Sequence, residues 1–183
     1  MDLRRQRVDN EWTILRQMAG ANPACLEIKE QRPDEFLLVL KQSPAPICFG
    51  GKIENGKIEL VQEHEVRFAF ARFFPAVPIE AYLTRPVFHP NVHPTTGFVC
   101  LWSRFSKADT VIEALCRLQR ILTYSVFSDS PDDVMQPEAL SWAVNANRGI
   151  ALPLLCTGLA KPASWAEERD FRTPPVRRRL SSD

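Results

Sequence analysis

The stretch FHPNVHPTTGFVC, residues 88–100, decides how the rest of the sequence is read. Two histidines, two prolines, an asparagine and a Thr-Thr-Gly turn lead to a single cysteine. A structural cysteine needs no such approach, because as a small hydrophobe it can sit on any strand or helix face. Three readings compete: a metal cluster, a catalytic nucleophile, or an ordinary loop that ends in a buried thiol. A metal would draw on His89, His93 and Cys100, and His-x-x-x-His brings two imidazoles together only on a helix. Pro90 and Pro94 forbid that helix, and no fourth ligand lies nearby in sequence, so no metal is expected. Gly97 and the Thr-Thr turn suit an exposed backbone, and Asn91 offers an amide donor of the kind an oxyanion needs when acyl groups transfer. No histidine is placed in sequence to activate the thiol, His64 lying far upstream. A cysteine without a base suits thioester exchange, in which it carries an acyl group, better than peptide cleavage.

Upstream of this stretch the pattern is a helix followed by strands. Val8, Trp12, Leu15 and Met18 form one apolar stripe over residues 3–19, leaving Arg4, Arg5, Arg7, Glu11 and Arg16 for the solvent side. CLEIKE (25–30), EFLLVLK (35–41), EVRFAFA (65–71) and IEAYLT (79–84) read as strands. KIENGKIEL (52–60) reads as a hairpin, with Asn55-Gly56 supplying the positive φ angles of a type I′ turn. GKIENGKI (51–58) also approaches a phosphate-binding loop. However, Ile58 stands where magnesium chemistry needs Ser or Thr, and a strand follows rather than a helix.

Downstream the period lengthens. TVIEALCRLQRIL (110–122) carries an apolar face and opens with the capping box Thr110-x-x-Glu113. Pro137 and Gly149 bracket a third helix over roughly 137–147. Residues 161–183 hold three prolines, six basic and four acidic residues, and read as a weakly ordered tail after one domain spanning 1–160.

The chain as a whole sets limits. Its 183 residues suffice for one domain with a sizeable core. A net charge of +1 points neither to nucleic acid nor to a membrane. MDLRRQRVDN, residues 1–10, has no apolar run of the kind a secretory signal requires. The longest apolar stretch, 149–160, is broken by Pro153 and Gly158. Five cysteines with no C-x-x-C pair fit a reducing cytoplasm rather than a disulfide framework.

The motifs together resemble the ubiquitin-conjugating enzymes. HPN at 89–91 followed by CL at 100–101 is similar to that family's active-site signature. PAVP (75–78) resembles its Pro-x-x-Pro loop, FSKADT (105–110) the approach to its second helix, and SPDDVMQPEA (130–139) its Pro-Asp-Asp segment. The likeness covers about residues 3–148. It implies an α/β (α+β) fold with an N-terminal helix, a four-stranded antiparallel meander, an active-site loop and two further helices.

It also implies roles. Cys100 matches the thioester-forming nucleophile, and Asn91 a residue that stabilises the oxyanion or holds the loop. His89, with Pro90, matches a structural element of the active-site loop. Asp133 matches an acidic position that orients and deprotonates the incoming amine. Arg4, Arg5 and Arg7 resemble the surface that docks an activating enzyme. The implied partners are that enzyme, a ubiquitin-like modifier and a target protein, with no cofactor. There are departures. The segment between Cys100 and Phe105 is about three residues shorter than usual, and the Pro-x-x-Pro loop carries Ala76-Val77 in place of an aromatic. In this trimming the chain resembles the conjugating-enzyme relatives of bacterial antiphage operons. Two alternatives remain open: a non-catalytic scaffold of the same fold, and a cysteine hydrolase.

Overall fold

The computed structural model describes residues 2–47, 58–146 and 158–162. Helix α1 (Leu3–Ala21) starts at Asp2, whose side chain accepts the backbone N–H groups of Arg4 and Arg5. Val8, Trp12, Leu15 and Met18 are all buried, as their spacing predicts. Asn22, ahead of Pro23, closes the helix.

Among the described residues seven strands follow: β1 (Leu26–Arg32), β2 (Glu35–Leu40), β3 (Ala45–Ile47), β4 (Glu59–Val61), β5 (His64–Ala69), β6 (Glu80–Leu83) and β7 (Phe98–Val99). The main sheet runs β1-β2-β5-β6-β7, each neighbour antiparallel. Its first four strands are the meander read from sequence. β3 and β4 pair separately. Of the hairpin expected over 52–60, residues 52–57, with the Asn55-Gly56 turn, lie outside the described residues. β3 was not legible because Pro44 and Pro46 mask its signal.

Helix α2 (Val111–Leu122) has the expected capping box: Thr110 caps the helix and its backbone N–H donates to Glu113 at 2.6 Å. A 3₁₀ turn (Pro131–Asp133) precedes α3 (Pro137–Ala146). One core unites α1, the inner sheet face and α2, with the Trp12 ring edge-on to Phe36 at 4.6 Å. Truncating a ring buried in such a core typically costs about 3–5 kcal/mol. Among the described residues no helix is long and apolar enough to cross a membrane.

The solvent side of α1 differs from the helical-wheel expectation. Glu11 is fully buried. One carboxylate oxygen accepts the N–H of Val111 at 2.7 Å, and the other pairs with Arg7 Nε at 2.9 Å. Burial pushes its carboxyl pKa up, while the Val111 N–H and Arg7 pull the other way. A carboxylate from α1 thus satisfies an orphan N–H at the start of α2, where the helix dipole favours negative charge. At the other end, Asn22 exchanges two hydrogen bonds with the backbone of Ala160, each 2.7 Å.

Candidate active site

β6 ends at Leu83, and the chain then runs through residues 84–97 before returning as β7. Gly97 makes the return possible. Its φ is +70°, and a Cβ placed there would lie 2.0 Å from the Leu83 carbonyl oxygen. Only glycine tolerates both the left-handed backbone and the contact. His93 shapes the same turn, its Nδ1 accepting the N–H groups of Thr95 and Thr96.

Between them lies a segment whose backbone polar groups are unusually well matched. The Val87 and Val92 carbonyls both accept from Gln136 Nε2, at 2.9 and 2.7 Å. The Tyr124 hydroxyl donates to the carbonyl of Phe88. His89 O accepts from Val92 N, Pro90 O from Met135 N, and Asn91 O from Cys100 N. A buried carbonyl without a donor costs about 1–3 kcal/mol, so this matching fixes the loop's course.

Asn91 adds the final ties. Its Nδ2 donates to the Cys100 carbonyl at 3.3 Å, and its Oδ1 accepts the Ser128 N–H at 2.8 Å. His89 is fully buried beside it, with Nδ1 accepting the Asn91 N–H at 3.0 Å and its ring 4.3 Å from that of Tyr124. Burial pushes the His89 pKa down to about 3, against a weak opposing pull from the Val126 backbone. The ring is therefore a neutral acceptor at physiological pH.

Cys100 sits half-buried at the end of this loop as a free thiol. Burial, then the nearby Asp133 carboxylate, push its pKa up, and the backbone N–H of Trp102 pulls it down. The fold thus brings together Cys100, Asn91 and Asp133, which stand up to 42 positions apart in the chain. None of the three histidines is hydrogen-bonded to the sulfur: His89 and His93 are committed as above, and His64 Nε2 bonds the Ser43 carbonyl at 2.9 Å. A thiol so placed can exchange thioesters, but it has no imidazole base with which to drive hydrolysis.

Comparison with solved structures decides the fold. A protein from Trypanosoma cruzi assigned as a ubiquitin-conjugating enzyme aligns with a TM-score of 0.57 at 16% identity, covering 81% of this chain and 94% of its own. Another with that assignment, from Plasmodium yoelii, gives 0.52 at 18%, covering 78% and 86%. This chain has the ubiquitin-conjugating-enzyme fold. No protein-family model matches the sequence, and no curated protein matches it.

On this ubiquitin-conjugating-enzyme fold the three arginines expected to dock an activating enzyme, Arg4, Arg5 and Arg7, divide. Arg4 Nη1 bonds Asp34 at 2.8 Å and Nη2 bonds the Phe70 carbonyl at 3.0 Å. Arg7 Nη2 bonds the Asp109 carbonyl at 3.0 Å, in addition to the Glu11 pair. Both are half-buried ties, which corrects the reading of them as free solvent-facing charges; Arg5 alone of the three is exposed. Gln136, Tyr124, Ser128 and Trp102 escaped the sequence reading. Their partners lie between 23 and 49 residues away, and only Gln136 falls within a quoted motif, the 130–139 segment, where nothing marks its role.

Proposed function

We propose that this chain is a conjugating enzyme for a ubiquitin-like modifier. It takes the modifier's C-terminal carboxyl from an activating enzyme as a thioester on Cys100 and passes it to an amine of a target protein. The observation that carries the reading is a half-buried free thiol on a loop tied down through Asn91, with Asp133 beside it and no histidine on the sulfur. In charging, the Cys100 thiolate attacks the thioester carbonyl carbon. A new S–C bond forms, the old one breaks, and the activating enzyme's thiol leaves. In discharge, a neutral amine attacks the same carbon, a C–N bond forms, and the Cys100 thiolate departs. The amine proton leaves through solvent or Asp133.

Asn91 acts first as a positioning residue, because both of its amide atoms hold the backbone around Cys100. The α1 surface around Arg5 receives the activating enzyme, with Arg4 and Arg7 contributing what their internal bonds leave free. The trimmed loops are the basis for placing the chain in bacterial antiviral defence. Co-expression with its genomic neighbours tests the reading. The expected product is a covalent adduct that dithiothreitol removes and that Cys100→Ala lacks. An adduct of equal yield on Cys100→Ala overturns the assignment.

A further inference from the structure

Gln136 stands immediately before α3, and its carbonyl accepts the Ala139 and Leu140 N–H groups at 3.1 and 3.2 Å. The residue in that place is usually Ser, Thr, Asp or Asn, whose short side chain turns back onto the helix N–H groups. Here a buried glutamine fills it, and its side chain serves something else. Its Nε2 donates to the Val87 carbonyl at 2.9 Å and to the Val92 carbonyl at 2.7 Å, which uses both hydrogens of the amide. These carbonyls flank the His89-Pro90-Asn91 segment. Between them, the Pro90 carbonyl accepts the Met135 N–H at 2.8 Å. Three hydrogen bonds from two consecutive residues therefore clamp 135–136 onto 87–92.

Each side of the clamp leads to a group of the site. On one side, Asn91 is tied to Cys100 twice: Cys100 N donates to Asn91 O at 2.8 Å, and Asn91 Nδ2 to the Cys100 carbonyl at 3.3 Å. On the other, Asp133 ends the 3₁₀ turn, and its own N–H donates to the Ser130 carbonyl at 3.0 Å. Only Val134 and Met135 separate that turn from Gln136. The Asp133 side chain is exposed, so what places its carboxylate is the backbone it stands on.

We propose that Gln136 is a positioning residue for Asp133: its bonds to the Val87 and Val92 carbonyls register the turn that carries this carboxylate against the loop that carries Cys100. This rests on the reading of Cys100 as the acyl carrier and of Asp133 as an acceptor of the amine proton. Gln136 then matters more to discharge, in which an amine must meet both groups, than to charging, which exchanges one thioester for another and needs no base.

The test uses the free, full-length chain without partners. Cys100 is alkylated with iodoacetamide across about pH 6 to 11, which spans the thiol range, and followed by peptide mass. A carboxylate beside a thiol disfavours the thiolate, the direction in which Asp133 acts on Cys100. Asp133→Asn should therefore lower the alkylation midpoint by about 0.3–1 pH unit, equivalent to roughly two- to tenfold faster reaction below the midpoint. Gln136→Met keeps an unbranched side chain of similar length and removes both donors. It should lower the midpoint too, and Asp133→Asn added to it should have less than about half of its effect in the wild-type background. A glutamine that only stabilised the fold would leave the Asp133→Asn shift at full size in the Gln136→Met background, and that result overturns the proposal. An Asp133→Asn midpoint equal to wild type overturns it as well, because there would be no placement for Gln136 to set. If Gln136→Met does not fold, Gln136→Asn, one methylene shorter, takes its place in the cycle. In protein charged by its genomic neighbours, Gln136→Met should slow discharge to lysine at least about fivefold more than it slows charging. Because the alkylation cycle needs no modifier, failure of the wild type to charge would sink the acyl-transfer reading and leave the cycle to decide on the placement. Normal charging with additive shifts would remove Gln136 alone.

Discussion

The two sides of Cys100 are built differently. Upstream, every carbonyl from Val87 to Val92 meets a donor, drawn from Gln136, Tyr124, Met135, Cys100 and the loop itself. Downstream, residues 103–108 are exposed, and the segment is held chiefly at its ends, by the Trp102–Ile79 bond and by Arg7 on the Asp109 carbonyl. The upstream side sets where the thiol stands. The downstream side can change length without moving it. A small groove lies alongside it, between Pro75, Val77 and Ile79 on one wall and Trp102 and Phe105 on the other.

The contrast can be broken most severely at Gly97. An alanine there meets the Leu83 carbonyl and must hold a positive φ. Gly97→Ala should therefore lose more than about 3 kcal/mol in urea unfolding. Wild-type stability would show that the upstream loop yields after all. Next in size is Asn91→Ala, which strips a donor from the Cys100 carbonyl and an acceptor from the Ser128 N–H. A cost of about 1–3 kcal/mol is expected, with charging and single-turnover discharge to lysine slowed together. Slowed discharge alone, at unchanged stability, would instead assign Asn91 to the oxyanion. The smallest effect belongs downstream. Arg104→Ala combined with Lys107→Ala should stay within about 0.5 kcal/mol of wild type. A larger loss would mean that this side is anchored by contacts beyond its ends.

What could be read in advance follows from the range of the interactions. The α1 stripe, the capping box of α2 and the strand patterns of β2 and β5 are local, and each landed within two or three residues of the observed element. The gathering of Cys100, Asn91 and Asp133 could be anticipated only through likeness to known motifs, because nothing local links position 133 to position 91. β7 has two residues inside a turn-rich loop, and its pairing with Ala81 and Tyr82 leaves no periodic trace. Glu11 misled most. A carboxylate on a basic helix reads as solvated, and its partner Val111 lies 100 residues on.

That partnership bears on how the molecule could be re-engineered. Because the carboxylate that caps α2 belongs to α1, the two helices are not separable modules. A chimera that imports a foreign first helix to change partner preference would withdraw both the Glu11 acceptor from the Val111 N–H and the Arg7 donor from the Asp109 carbonyl. Exchangeable parts in this fold are set by shared buried charges rather than by the boundaries of its helices. A workable graft would carry residues 3–21 together with 109–113, or keep Arg7 and Glu11 in place.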